Sequence, residues 1–374
     1  MNLIHQLSEQ IQKNIITTRD GKFLQAGDHQ FQSFWTRDFC WASFGLVAIK
    51  EYEVVKNHLQ HLLDRMNTQG LIPRILETGR SDRTVVLNTV FRFLPRRYLI
   101  SKHNRKIKAE HYGEHGTLSI DSNALVILAF INYVEASGDH KFLEDNKDKL
   151  LQCFKFYKNR LDNGLVFQKE FEDWQDSAKR AGKTFYTNLL YFQACKKLSE
   201  HGVIAAKLAE IKSKIHRTFF TNGLYRSVEH LDIMSTEANY LAIIWDFLPA
   251  DQGAKVYKKL AAQKFHSKEF PLCSVPTYPS HEISWTTKIV GLSRYHDHML
   301  WSWILGLKLL AAKKLNLSSE TQALENLLIE LISENEFLFE IYRVNDLTPF
   351  KNPLYYSEHP FSWGLGINLW ALKS

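Results

Sequence analysis

Four short stretches of the chain bring charged and aromatic side chains together between helix-like segments. They are Phe34 to Phe39, Glu172 to Arg180, Tyr295 to Trp303 and Tyr355 to Trp363. Carboxyl groups can move protons, carboxylate and guanidinium groups bind hydroxyls, and aromatic rings stack on the apolar faces of sugar rings. Because functional groups concentrate in the connections between regular elements, loops of this composition predict a binding or catalytic site.

One chemistry open to paired carboxyl groups is the inverting cleavage of a glycosidic bond. It requires a protonated carboxyl on the leaving oxygen and an ionised carboxylate that activates water on the opposite face of the ring. The two groups lie roughly 6.5 to 9.5 Å apart, so they normally come from different loops. The sequence holds 40 acidic residues, and spacing alone does not select the pair.

Metal and disulfide chemistry are not favoured. His296, Asp297 and His298 are metal ligands by type, but adjacent residues of a helix do not face one another and no third spaced ligand is evident. The four cysteines form no CxxC pair and no metal-type spacing; they are Cys40, Cys153, Cys195 and Cys273. The sequence therefore predicts buried free thiols, no metal and no cofactor.

Segments with helical periodicity must position these loops. The apolar spacing predicts helices over roughly 41–65, 121–137, 142–160, 183–199, 203–219, 235–248, 252–264, 296–314, 318–334 and 362–373. Alternating strand patterns are scarce and no Ser/Gly/Pro-rich linker divides the chain, so we expect one all-α domain over residues 1–374. Helices in this number can close as hairpins into a toroid or stack as an open solenoid, and the chain lacks the repeat typical of a solenoid.

The bulk composition limits the class of protein. Of the 374 residues, 45% are hydrophobic and 23% are charged, which is enough for a substantial core. The formal charge of +7 could suit nucleic acid, but the basic residues are spread out, and the densest run, Arg96 to Lys108, matches no binding motif. We identify no signal peptide and no membrane-spanning stretch, so we expect a cytoplasmic protein that binds neither nucleic acid nor membrane. The oligomeric state stays open.

Five stretches occur in an order that resembles a known family. They are FWTRDFCWASFGL (34–46), IDSNALVILAF (120–130), DWQDSAKRAGKTFYTNLLY (173–191), YHDHMLWSWILG (295–306) and FEIYRVNDLTPFKNPLYYSEHPFSWGLG (339–366). The set resembles the α/α-barrel glycoside hydrolases that comprise neutral/alkaline invertases, processing-type α-glucosidases and the glucosidase domain of glycogen debranching enzymes. The resemblance implies an (α/α)6 toroid, a six-hairpin barrel. It also implies inverting, exo-acting removal of a terminal α-glucosyl-type residue from an oligosaccharide or from sucrose.

The resemblance also implies roles for individual residues. Asp121, which opens a helix, matches the general acid, and Glu340, in a Glu-x-Tyr context, matches the general base. Trp35, Arg37 and Asp38 match a Trp-x-Arg-Asp motif that binds the hydroxyls of the sugar in the cleavage subsite. The further candidates for substrate binding are Trp174, Asp176, Lys179, Tyr295, His296, Trp301, Tyr342, Glu358 and Trp363.

The chain departs from the family pattern in two respects. Where the family usually shows Tyr-His-Asn-Gly, this sequence keeps Tyr295 and His296 but has Asp297 and His298. We also expect no β-domain of the kind that many relatives carry before the barrel. Both departures bear on which substrate is used more than on the chemistry.

Asp121, Arg37 and Asp38 also have purely structural interpretations. Asp121 could cap the helix that follows it, a role that lowers a carboxyl pKa, whereas an acid catalyst needs a raised pKa. Arg37 and Asp38 could form an ion pair with each other rather than bind a ligand.

The assignment of Glu340 as the general base has alternatives. Glu340 could be an ordinary exposed acid, and Glu358 is the main alternative for the base role. If Glu340 is the base, Tyr342 is near enough in sequence to orient its carboxylate.

Two other functions stay open at this stage. A sugar isomerase or epimerase of the related toroid type would use histidines for proton transfer. His281, His296 and His298 would then matter, and Asp121 would not. A carbohydrate-binding protein whose catalytic pair has decayed would bind glycosides without hydrolysing them.

Overall fold

The computed structural model describes residues 3–77, 107–113, 116–262 and 269–374. Residues 96–106 of the predicted basic run lie outside these ranges. Within them, thirteen α-helices are numbered in chain order. They are α1 Leu3–Gln12, α2 Thr36–Ala48, α3 Tyr52–Asp64, α4 Ile120–Ser137, α5 His140–Lys155, α6 Phe185–Glu200, α7 Leu208–Phe219, α8 Thr236–Ile244, α9 Ala250–Ala262, α10 Trp285–Ile289, α11 Ser302–Lys314, α12 Ser318–Asn335 and α13 Ser362–Lys373.

Twelve of these helices form two concentric rings. The inner ring is α2, α4, α6, α8, α11 and α13; each contacts the next in that order, and α13 returns to α2. The outer ring is α1, α3, α5, α7, α9 and α12, which alternate with the inner helices along the chain. This arrangement is an (α/α)6 toroid, so the fold that the resemblance implied is confirmed.

The sequence explains which helices lie inside. The inner helix α4 is apolar around most of its circumference, and every residue from Ile120 to Ile131 is buried. The outer helix α7 is amphipathic and fully buries only Ile215 and Phe219. A helix that is apolar all round is stable only when other elements surround it, so it takes the inner position.

The ring closes through backbone contact between α2 and α13. A Cβ atom placed on Gly45 would lie 2.1 Å from the carbonyl oxygen of Gly366, and one placed on Gly366 would lie 2.3 Å from the Cα of Ala42. Neither position has room for a side chain. This close packing joins the helix that carries Arg37 to the helix that carries Trp363.

Some predicted boundaries differ from the structure. The segment 41–65, predicted as one helix, is two helices, because the chain turns at Lys50, whose φ of 67° is incompatible with a continuing right-handed helix. The helix predicted over 296–314 begins only at Ser302, because Leu300–Trp301 is a short strand. Helix α1 was not among the helices predicted from the sequence.

Short strands connect the helices in the described ranges. They are β1 Ile15–Thr18, β2 Gly21–Leu24, β3 Phe34–Trp35, β4 Ile75–Glu77, β5 Lys108–Glu110, β6 Leu161–Asp162, β7 Leu165–Val166, β8 Phe220–Thr221, β9 Leu224–Val228, β10 Leu231–Ser235, β11 Ser274–Val275, β12 Leu300–Trp301 and β13 Ile341–Tyr342. Strands β3, β10 and β12 run directly into inner helices, so their pairing fixes where those helices begin. Among the described residues, no helix is both long enough and apolar enough to cross a bilayer.

Candidate functional site

The second residues of the six inner helices lie at the same helix end, around the mouth of the toroid. They are Arg37, Asp121, Tyr186, Glu237, Trp303 and Trp363. Trp174, from a loop, packs edge-on against Trp303 and Trp363, and its indole N–H donates to Glu237 at 3.0 Å. Helix N-termini carry partial positive charge, which favours carboxylates gathered there. Loop residues and helix N-termini therefore converge on one site.

An inner cavity of about 160 Å³ lies at the centre of this end. This is well below the roughly 300 to 1,000 Å³ typical of pockets for drug-sized ligands, so the cavity suits a single small ring. All but two of its lining residues are candidates from the sequence. The lining consists of Phe31, Trp35, Arg37, Asp38, Trp174, Asp176, Tyr295, His296, Trp301, Glu340, Phe361 and Trp363.

Glu340 is held rigidly in the wall of the inner cavity. The residue is 2% exposed, and the hydroxyls of Tyr295 and Tyr355 donate one hydrogen bond to each of its carboxylate oxygens. Its backbone N–H donates to the Glu358 carbonyl at 3.0 Å, and its carbonyl accepts from the Ser302 N–H at 3.0 Å. Burial raises the pKa of Glu340 to about 7, although the two phenols oppose the rise. The group is therefore a fixed carboxylate that can accept a proton near neutral pH.

Asp121 has a different environment. The N-cap position is Ser119, and the Asp121 carboxylate accepts from the Arg37 guanidinium, at 2.8 Å from Nε and 3.0 Å from Nη2, so the capping interpretation is not supported. The side chain is fully buried and does not line the inner cavity. Burial raises the pKa of Asp121, and Arg37 opposes that rise. A carboxylate held in this way is poorly placed to protonate a ligand in the cavity.

Asp176 lies at the junction of two cavities. Its side chain is 54% exposed, and its Oδ2 is 3.5 Å from Nη1 of Arg37. It lines both the inner cavity and an outer cavity of about 940 Å³. Loss of hydration raises the pKa of Asp176 to about 6, and Arg37 opposes the rise. The charge of Asp176 also raises the pKa of Glu340, so the two carboxyl groups interact electrostatically.

Arg37 and Asp38 do not form the ion pair that their adjacency suggested. Arg37 binds Asp121 and Asp176 instead. Asp38 lines the inner cavity and forms no hydrogen bond or ion pair with a side chain in the described part of the chain. Burial raises the pKa of Asp38 to about 7. This arrangement leaves its carboxyl group available to ligand hydroxyls.

The three histidines named in the isomerase hypothesis do not gather in one place. His296 lines the inner cavity, where its Nδ1 is 2.7 Å from Ser177 Oγ and its ring stacks on Trp301 at 5.3 Å. Burial lowers the pKa of His296, so its imidazole is neutral at pH 7. His281 lines the outer cavity, and His298 is exposed and lines neither of the two cavities.

Glu358, the alternative base, anchors a loop. Its Oε1 accepts the backbone N–H of His29 at 2.6 Å, and its Oε2 accepts those of Gln30 and Phe31 at 2.7 and 2.9 Å. The side chain is fully buried and does not line the inner cavity, whereas Phe31, which it holds, does. A carboxylate with both oxygens engaged by backbone donors is better suited to positioning than to accepting a proton from water.

Glu358→Gln tests this positioning role. The amide NH2 group would face at least one backbone N–H, so we expect the free energy of unfolding to fall by about 2 kcal/mol. Urea denaturation followed by circular dichroism measures the change. Glu334→Gln, which alters an exposed carboxylate at the end of α12, is the control and should stay within about 0.5 kcal/mol of the parent protein. Equal stability of Glu358→Gln and the parent would argue against the anchor.

Three other residues singled out in the sequence lie away from the inner cavity. The Tyr342 hydroxyl accepts the backbone N–H of Phe339 at 2.9 Å. The sequence suggested that Tyr342 orients Glu340, but the hydrogen bonds to Glu340 come from Tyr295 and Tyr355. Lys179 lines the outer cavity. Asp297, which departs from the family motif, is fully buried and pairs with Arg294 at 3.0 Å, so this departure does not alter the cavity lining directly.

Three residues of the site were not among the candidates predicted from the sequence. Tyr355 and Phe361 lie inside the stretch from 355 to 363 that was singled out for its composition, so a signal for them existed. Phe31 lies outside all four stretches. It reaches the cavity only because Glu358, remote in sequence, holds the loop that carries it.

The cysteines play no visible part in this site. All four cysteines are buried free thiols, as predicted. Within the described ranges, no group of three or more His, Cys, Asp or Glu side chains is arranged to hold a metal ion.

The closed ring of six helical hairpins, with a carboxyl-lined and aromatic cavity at the inner-helix N-termini, defines the chain as an (α/α)6-toroid protein. No protein-family model matches it, and no curated protein matches its sequence. Solved structures of similar fold include a GH63 mannosylglycerate hydrolase from Thermus thermophilus, at 12% identity and a TM-score of 0.66, with 99% of each chain covered.

Two further structures share the fold. A wild-type glycosidase is 11% identical with a TM-score of 0.67, over 99% of this chain and 95% of the other. A rhamnosidase from Klebsiella oxytoca with rhamnose bound is 9% identical with a TM-score of 0.66, over 98% of this chain and 63% of the other. At these identities the likeness establishes the architecture.

Proposed function

We propose that the chain is an inverting, exo-acting glycoside hydrolase that removes a terminal α-glucosyl-type residue from an oligosaccharide or from sucrose. Glu340 is the general base, and Asp176 is the general acid. The observation that carries the proposal is the pairing of a carboxylate fixed by two phenols with a second carboxyl group at the junction of the two cavities. Asp121 is the sequence-based alternative for the acid, and its burial against Arg37 favours Asp176 over it.

The similar structures support a glycoside as the substrate. They include hydrolases named for glycosides, and structures of the Thermus enzyme hold glucose or D-glycerate. A cavity for one ring, opening into a larger one, also suits an enzyme that removes terminal residues: the ring to be removed occupies the inner cavity and the rest of the substrate lies outside.

The proposed reaction uses both carboxyl groups in one displacement. Glu340 accepts a proton from a water molecule whose oxygen bonds to the anomeric carbon. The bond from that carbon to the glycosidic oxygen breaks, and Asp176 transfers its proton to the departing oxygen. Asp38 accepts hydrogen bonds from ring hydroxyls, and the surrounding indoles pack on the apolar faces of the ring.

The stereochemistry of the first product tests the proposal. Sucrose, maltose, isomalto-oligosaccharides and aryl α-glucosides are incubated with the protein, and the anomer released is followed by proton NMR before mutarotation. Inversion releases β-glucose first. Initial release of α-glucose would contradict the mechanism.

The histidine-dependent isomerase has less support. It needs a titrating imidazole beside the substrate, and the only histidine among the described residues that line the inner cavity has a lowered pKa. Interconversion of free monosaccharides without uptake of water would favour the isomerase over the hydrolase.

A further inference from the structure

We propose that the outer cavity is a subsite for a saccharide leaving group, and that Trp285 is the aromatic platform on which a ring of that group stacks. The role of this subsite in turnover rests on the proposed function. Its affinity for saccharides does not, so the two can be tested separately.

The outer cavity adjoins the inner one. Trp35, Arg37 and Asp176 line both, so the two cavities meet at the proposed acid. The outer cavity measures about 940 Å³ against about 160 Å³ for the inner. A small leaving group would occupy little of this space, whereas one or more sugar rings would fill it.

Trp285 presents an unusually open indole to this cavity. Its side chain is 65% exposed, and no ring in the described part of the chain packs against it. It begins the short helix α10 on the rim of the cavity. Exposure of so large an apolar surface is unfavourable without a ligand, and a flat indole matches the apolar face of a pyranose.

The platform is tied to the loop that carries Asp176. The Lys179 N–H donates to the Glu282 carbonyl at 2.7 Å, and the Ser284 N–H donates to the Ser177 carbonyl at 2.8 Å. Ala178 and three other apolar residues form a small core beneath these contacts. The backbone that carries Trp285 therefore has a fixed position relative to the loop of the proposed acid, as a leaving-group subsite requires.

Lysines supply hydrogen-bond donors in the same cavity. Lys169, Lys179 and Lys288 line it, and none forms an ion pair with a carboxylate of a described residue. Ammonium groups donate to hydroxyl oxygens and to carboxylates alike. The stacking platform and the volume of the cavity favour a saccharide over a small acid.

The test compares Trp285→Ala with Ile289→Ala. Ile289 is 64% exposed on the same helix but does not line the cavity. The substrates are maltotriose, isomaltotriose and α-glucosyl fluoride, whose fluoride is too small to reach Trp285. We expect the ratio of kcat/KM for the preferred trisaccharide to that for the fluoride to fall about tenfold in Trp285→Ala. Ile289→Ala should keep the parent ratio. Quenching of tryptophan fluorescence by the trisaccharides in a Glu340→Gln background, with and without Trp285→Ala, measures binding without turnover.

The outcomes separate the two proposals. Hydrolysis of both substrate types with an unchanged ratio overturns the subsite and leaves the hydrolase standing. Trisaccharide binding that depends on Trp285, without hydrolysis by the parent protein, overturns the hydrolase and supports the subsite. If the protein neither binds nor hydrolyses these saccharides, both proposals are overturned.

Discussion

Glu340→Gln is expected to lower kcat by about a thousandfold while the protein stays folded. The amide keeps the shape of the side chain but does not accept a proton from water, so the attacking oxygen loses its general base. Initial rates on the α-glucoside that the parent protein cleaves fastest measure the effect. Glu334→Gln, an exposed carboxylate nearby in sequence, should retain the parent rate.

A second variant with a smaller side chain at position 340 makes the test more specific. Glu340→Ala leaves space where the water and carboxylate stood, and azide can attack the anomeric carbon there without a base. Rescue by azide, with a β-glucosyl azide formed from an α-glucosyl substrate, is the expected product. Parent-like turnover in Glu340→Gln would remove Glu340 from the mechanism.

The pH dependence of kcat/KM should report the ionisation of the two proposed catalytic groups, Glu340 and Asp176. Glu340 must be ionised, and its pKa is raised to about 7. Asp176 must be protonated, and with a pKa of about 6 its proton is lost as the pH rises. A bell with its maximum between these values is expected. Because the base has the higher of the two pKa values, that value sets the basic limb. Tyr355→Phe removes a donor to the ionised Glu340 and raises its pKa further, so it should move the basic limb to higher pH and lower the maximum.

Asp176→Asn is expected to impair catalysis, whereas Asp121→Asn is expected mainly to destabilise the folded protein. Loss of the general acid at Asp176 should lower kcat/KM for saccharides by about 10²- to 10⁴-fold. It should spare α-glucosyl fluoride far more, because fluoride departs with little need of a proton. Asp121→Asn breaks a buried ion pair and leaves Arg37 with only the more distant Asp176 as a charged partner, so it should cost about 3 kcal/mol of folding free energy. Its effect on the two substrates should be similar.

Kinetics on both substrates, together with urea denaturation of each variant, separate the two assignments. If Asp121 were the acid, Asp121→Asn would lose saccharide cleavage selectively and Asp176→Asn would not. That reversed result would restore the assignment made from the sequence motif. A parallel loss on both substrates in Asp176→Asn would instead make Asp176 a positioning residue.

Part of this fold can be predicted from local chemistry. Apolar runs such as Ile120 to Ile131 require burial on all sides, and amphipathic runs such as Leu208–Phe219 require burial on one. Those two patterns, alternating along the chain, are what two rings of helices need. The aromatic and charged loops between them also signalled the site, and most residues lining the inner cavity come from those loops.

The roles of individual carboxyl groups could not be predicted in the same way. Asp121 and Asp176 are both acids within stretches that resemble the family, and a motif does not show which one Arg37 will bind through both carboxylate oxygens. Glu340 and Glu358 are only 18 positions apart, yet one faces the cavity and the other holds a loop near residue 30.

Hydrophobic periodicity and composition act over a few turns of chain, so they predicted the alternating helices and most of the residues that line the inner cavity, whereas the toroid itself was implied only by the family resemblance. Which acid faces the cavity, which is paired with arginine and which is bound by backbone became clear only from the folded chain. The reason is physical: the pKa and reach of a carboxyl group depend on burial and on partners that are tens to hundreds of positions away along the chain.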